Sequence, residues 1–149
     1  MSIFKNEFLI QQVISRFANS FDLKDWDGLS SCLSQSLYVD YSDLRGTPPK
    51  MMTASEYVRL RREALQPLKT HHLSGNFEIQ ITNEYSATCR FSMAIWRESD
   101  NDEFITHCVY HVNLIKETDD WKINRIAQKV LWNIGKAAVH VGINSKSDT

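Results

Sequence analysis

Apolar residues fall at positions 4, 8, 9, 10, 13, 14, 17, 18 and 21 of the chain. Recurrence at three- and four-residue intervals lines them along one face of a helix, so the spacing predicts an amphipathic helix over residues 4–21. A second, short helix is expected over 26–33, with Asp25 as its N-cap. In Leu37-Tyr38-Val39-Asp40-Tyr41, alternation places Leu37, Val39 and Tyr41 on one face of a strand. Gly46-Thr47-Pro48-Pro49 reads as a loop. Thr53-Ala54-Ser55-Glu56 has the spacing of a capping box and opens a third helix, which Pro67 follows. Four strands rich in β-branched and aromatic residues are then expected over 72–81, 85–97, 105–115 and 121–132. Asn83-Glu84, Ser99-Asp100-Asn101-Asp102 and Thr118-Asp119-Asp120 form the turns between them. Helices first and a strand meander after them define an α+β fold, with three N-terminal helices packed on one face of a curved, mainly antiparallel sheet. No repeat or low-complexity segment interrupts this order. Residues 1–141 are read as one domain, and 142–149 as a polar, frayed tail.

Composition narrows the function classes. A chain of 149 residues is long enough for one domain with a core and a pocket. Seventeen basic residues against 18 acidic ones give a net charge of −1, which argues against a nucleic-acid partner. The run Arg59-Leu60-Arg61-Arg62 is read as a solvated helix face. No apolar stretch approaches the ~20 residues of a membrane span, and the first residues lack the pattern of a signal peptide. Cys32, Cys89 and Cys108 are odd in number and widely spaced, which suggests neither disulfides nor a zinc site and fits a reducing cytoplasm.

The candidate chemistry lies in Asp22, Tyr41 and His72. A carboxylate just after an apolar helical face can point inward, and a buried carboxylate that orients an imidazole builds a general base. Each residue also has a plain structural reading: Asp22 as a cap, Tyr41 as a core tyrosine, His72 as a histidine satisfied by backbone. Because neighbouring strand residues face opposite ways, only one of His71 and His72 can enter the interior. His107 and His111, four apart on a strand, stand about 13 Å from one another and cannot share a metal ion. Alternation groups Cys108, Tyr110, Val112 and Leu114 on one face. His107, Val109, His111 and Asn113 take the other, a candidate subunit interface. Cys89, Phe91, Met93 and Ile95 alternate as core residues that would line an apolar pocket wherever the packing leaves a void. Trp132, near the end of the sheet, is expected to help close that pocket. No nucleotide, flavin or metal motif is present, so a reaction without a cofactor is expected.

Several strings resemble the scytalone dehydratase family, of the SnoaL-like group in the nuclear-transport-factor-2-like superfamily. They are Ser20-Phe21-Asp22-Leu23-Lys24-Asp25-Trp26-Asp27, Val39-Asp40-Tyr41-Ser42, Ser55-Glu56-Tyr57-Val58, Thr70-His71-His72-Leu73 and, more weakly, Trp121-Lys122-Ile123. The likeness covers roughly residues 8–132 and implies a cone-shaped α+β barrel with an interior pocket. It aligns Asp22 with the family's buried aspartate, Tyr41 with one of two active-site tyrosines, and His72 with one of two catalytic histidines. Phe21 stands in place of the second tyrosine, and Ile95 or Trp96 in place of the second histidine. Cys108 and Tyr110 replace a serine and an asparagine. The expected substrate wall is therefore Phe21, Met93, Ile95, Trp96, Cys108, Tyr110 and Trp132. The polar grip on scytalone is largely replaced, so another substrate is expected. The resemblance implies a cofactor-free hydro-lyase acting on a small cyclic or aromatic carbonyl or hydroxyl compound. An isomerase with the same pocket, or a non-catalytic ligand-binding or assembly domain, are the alternatives. It also implies a homo-oligomer, a dimer or trimer.

Overall fold

The computed structural model describes residues 2–140; the expected frayed tail lies outside the described residues. Helix α1 (Ile3–Asp22) starts at Ser2, whose hydroxyl accepts the Lys5 amide at 3.3 Å. Ile10, Ile14, Phe17 and Phe21 form its buried stripe. A tight turn then passes through Lys24, which has a positive φ of 55°. The Lys24 ammonium donates to the Leu65 and Leu68 carbonyls at 2.6 and 2.8 Å, tying this turn to the end of a later helix. Helix α2 (Trp26–Ser31) follows, capped by Asp25, which accepts the Gly28 amide at 2.9 Å.

Strand β1 (Leu33–Asp40) turns its Leu37 and Val39 inward. Two short elements come next: helix α3 (Ser42–Arg45), ended by Gly46 at φ 72°, and strand β2 (Lys50–Thr53). Helix α4 (Ala54–Leu65) begins at the expected cap, Thr53 accepting the Glu56 amide at 3.0 Å. Four long strands complete the sheet: β3 (Lys69–Asn83), β4 (Ser86–Glu98), β5 (Glu103–Glu117) and β6 (Asp120–Gly135). A 3₁₀ turn (Ala137–Val139) follows.

The sheet order is β2-β1-β6-β5-β4-β3, with β3 to β6 an antiparallel meander and β1 parallel to β6. The fold is α+β: among the described residues four α-helices pack on a curled six-stranded sheet that does not close into a barrel. This differs from the expected three helices by α3, a single turn too short to leave an apolar period. The core fills the concave side, where Phe17 and Phe21 meet Phe91, Met93, Ile95 and Tyr110. No helix among the described residues is long and apolar enough to cross a membrane.

Candidate active site

Asp22, the last residue of α1, reaches β3 and is held there from three directions. Its Oδ1 lies 2.7 Å from His72 Nδ1 and accepts the Thr70 hydroxyl at 3.0 Å. Its Oδ2 accepts the His72 backbone amide at 2.7 Å. Phe21 stacks on the His72 ring at 4.7 Å between centroids and 21° between planes, fixing the imidazole from its face. The arrangement follows from sequence position: Phe21 and Asp22 end one helix together, and Thr70 and His72 share one face of one strand. His71, on the other face, stacks with Trp96 at 5.7 Å.

Electrostatics set the protonation state. Burial pushes the Asp22 carboxyl up, but the His72 hydrogen bond, the His72 charge and the Thr70 bond outweigh it and hold the carboxyl below its ordinary value. Burial pulls His72 below 6.5; the opposing pull of Asp22 does not overcome it, and the charges of Arg97 and Lys24 lower it further. His72 is thus a neutral imidazole at pH 7. Nδ1 carries the proton donated to Asp22, and Nε2 is left with an open lone pair.

Beside His72 lies a cavity of about 20 Å³, room for about one water. Phe21, Tyr41, Ile95 and Tyr110 line it with His72. The Tyr41 and Tyr57 hydroxyls are 2.7 Å apart, and the Tyr110 hydroxyl donates to Tyr41 at 3.5 Å. Burial holds Tyr57 and Tyr110 far above the usual phenol range, as neutral hydroxyls. A larger opening of about 380 Å³ adjoins, walled by Val39, Pro48, Met52 and Leu60; Tyr41 and Arg61 border both spaces.

The structure therefore brings His72 and Tyr41 to one chamber, together with Phe21, Ile95 and Tyr110, while Asp22 touches His72 without lining that chamber. Met93 and Cys108, expected in the substrate wall, are buried but do not line the chamber; Cys108 Sγ donates to the Met93 carbonyl at 3.3 Å. Burial raises the Cys108 thiol to about 11, so no thiolate nucleophile arises there. Trp96 and Trp132 lie elsewhere. Trp96 follows inward-facing Ile95 and so faces out. Trp132, expected to help close the pocket, is 53 % exposed and stacks on His107 on the convex face. The cause is a bulge: Cys108 pairs with Val130 but His107 with Trp132, so Leu131 is an extra residue and inverts the alternation beyond it. Among the described residues no three His, Cys, Asp or Glu side chains group so as to hold a metal ion.

The sequence pattern did not mark the polar residues Arg61, Arg97, Gln128 and His140 of the chamber, nor Arg45 of the adjoining opening. Arg61, read as part of a solvated run, is only 6 % exposed. It follows Tyr57 by one turn and precedes Ala64 and Leu65, the buried stripe of α4. Its neighbour Arg59 does face solvent, paired with Glu63. Arg97 shares the inward phase of Phe91, Met93 and Ile95.

This fold and site define an α+β domain in which a part-buried aspartate holds a buried histidine beside an aromatic chamber. Comparison with known proteins gives it a family: the SnoaL-like domain model matches residues 7–127, and the chain belongs to that family. The "Scytalone dehydratase-like protein" of Claviceps purpurea is 29% identical over 134 residues, 82% of this chain and 85% of the relative. The "Scytalone dehydratase-like protein claB" of Passalora fulva is 29% identical over 108 residues, 68% of this chain but only 65% of the relative. Among solved structures, the Kfla4162 protein from Kribbella flavida superposes with a TM-score of 0.87 at 18% identity, covering 93% of this chain and 98% of that one.

Proposed function

We propose that this protein is a cofactor-free lyase of the dehydratase type, acting on a small cyclic or aromatic carbonyl compound that bears a hydroxyl β to the carbonyl. The observation that carries the reading is the Asp22–His72 contact at 2.7 Å through Nδ1, on an imidazole that lines the chamber and whose Nε2 has no hydrogen-bond partner among the described residues. His72 Nε2 takes the proton α to the carbonyl, and the electron pair moves onto the carbonyl oxygen. Tyr41, bordering the same chamber, donates a hydrogen bond to that enolate oxygen. As the enolate collapses, a carbon–carbon double bond forms and the β-hydroxyl leaves, taking the proton from His72 as water. The proton removed equals the proton returned, so the cycle needs no redox partner. Asp22 holds the tautomer and stabilises the imidazolium between the two steps. Returning the proton to another carbon instead would give isomerisation. The dehydratase-like names of the fungal relatives support elimination.

The small chamber favours a second reading, a ligand-binding or assembly domain without turnover, because about 20 Å³ admits no organic substrate unless side chains move. The test is a panel of cyclic β-hydroxy ketones followed by the ultraviolet band of the conjugated product. Catalysed loss of water that disappears in His72→Gln supports the lyase. Solvent-deuterium exchange at the α-carbon without loss of water supports the isomerase. Binding with neither leaves the binding domain. We also propose self-association through the convex sheet face, where exposed Leu73, Leu131 and Trp132 border a shallow groove. A monomer by light scattering at micromolar concentration would contradict it.

A further inference from the structure

The chamber contains positive charge with no protein anion to match it. Arg61 and Arg97 are 6 % and 3 % exposed, and Arg45 lies beside them. The Nε atoms of all three are buried without a hydrogen-bond partner, and none of the three takes part in an ion pair among the described residues. Their contacts are to neutral groups. Arg97 donates to Thr106 Oγ1 at 2.9 Å and Arg45 to His140 Nε2 at 3.1 Å, while the Arg61 guanidinium sits over the Tyr41 ring at 5.3 Å. Because Arg45 donates to Nε2, His140 carries its own proton on Nδ1, and that atom too is buried and unpartnered. Four buried nitrogen donors therefore lack acceptors around the chamber and the adjoining opening, against one unpartnered acceptor there, Gln128 Oε1.

Burying a cation without a counter-charge is strongly unfavourable, and guanidinium does not escape by losing its proton at neutral pH. Burial and mutual repulsion bring Arg45 down only to about 9; burial brings Arg97 only to about 10. Asp22 cannot serve as the missing anion, since both its oxygens are engaged by His72 and Thr70. We infer that the substrate carries a carboxylate, and that Arg61 and Arg97, seconded by Arg45 and His140, receive it in the chamber next to His72. A planar carboxylate suits the fork of a guanidinium, and the flanking rings of Tyr41 and Phe21 suit a flat carbon skeleton. Arg61 and Tyr41 border both the chamber and the larger outer opening, so movement of the Arg61 side chain onto the incoming anion would join the two spaces.

This inference rests on reading the chamber as the substrate site, and its test separates the two claims. The full chain is titrated calorimetrically with benzoate, benzamide and phenyl phosphate, probes of one ring and different charge. Benzoate is expected to bind roughly tenfold or more tightly than benzamide, as charge-assisted bonds exceed neutral ones. Arg61→Gln and Arg97→Gln should each erase that preference. Asp22→Asn should keep it, although turnover on a hydroxy ketone is lost. Equal binding of benzoate and benzamide, no binding of either, or preference for phenyl phosphate would each overturn the carboxylate assignment; the wild-type titrations decide this even if a variant fails to fold. If Asp22→Asn turned over normally while benzoate still bound preferentially, the proton-transfer reading would fail and the anion site would stand.

Discussion

The two ends of the chamber are built on opposite principles. At the Asp22 end both carboxylate oxygens are engaged, by two backbone or ring nitrogens and one hydroxyl, and the imidazole is clamped by Phe21. At the arginine end three guanidinium groups and His140 keep unpartnered donors. The first end is finished by the fold alone, so it is preorganised for a proton transfer before anything binds. The second end is finished only by a ligand. Polar groups that natural folds bury unsatisfied are rare, and their concentration on one side of one cavity marks where binding energy is held in reserve. The division of labour is that the fold fixes the base and the ligand completes the anchor.

The comparison breaks most visibly at Asp22. Asp22→Asn presents an amide to His72 Nδ1 and favours the wrong tautomer; turnover should drop by about 10³–10⁴-fold with the fold retained, as steady-state rates and circular dichroism would show. Arg61→Met acts in the opposite sense on stability. Removing a buried, unpaired charge in favour of an apolar side chain of similar length should raise the unfolding free energy by about 1–3 kcal/mol while weakening carboxylate binding, read by denaturant titration of both proteins. A loss of stability would mean that Arg61 is a structural element after all. The pH dependence is the next smaller effect. His72 in the folded protein lies below 6.5, so between that lowered value and 6.5 the unfolded chain binds more protons than the native one. Stability should rise with pH across that window and level off above it. The acid limb of kcat/KM should likewise lie below 6.5. The smallest effect belongs to Trp132→Ala, which should leave kcat/KM unchanged within twofold because the side chain is outside the chamber; a large loss would place it in the substrate's path.

Much of this was legible in the sequence because it depends on local periodicity. Alternation plus the resemblance separated His72 from His71, and the capping spacing located the start of α4 at Thr53. The Asp22–His72 contact itself spans 50 residues, beyond any local period; residue chemistry suggested the pair and the resemblance singled out its members. Arg97 continues the inward series of Phe91, Met93 and Ile95, so the phase of the strand, which places it inside, outweighs its charge. Arg61 was hidden by its neighbours: in a run of arginines the position relative to Tyr57 and Leu65, not the charge, decides burial. Trp132 could not be placed by alternation, because one extra residue at Leu131 shifts every side chain after it and nothing in composition announces a bulge. The α3 turn and β2 are four residues each, shorter than the window a period needs. His140 follows a 3₁₀ turn, with no pattern to signal that its ring returns to Arg45.

The central claim is that His72 is a neutral base held by Asp22 with Nε2 open. Nitrogen-15 NMR of the His72 ring across pH 4–8 tests it without any substrate. The account predicts a proton on Nδ1 and none on Nε2 at pH 7, with a midpoint below 6.5 that moves, together with the tautomer, in Asp22→Asn. A proton on Nε2 at pH 7, or a midpoint at or above 6.5 that Asp22→Asn leaves in place, would contradict it.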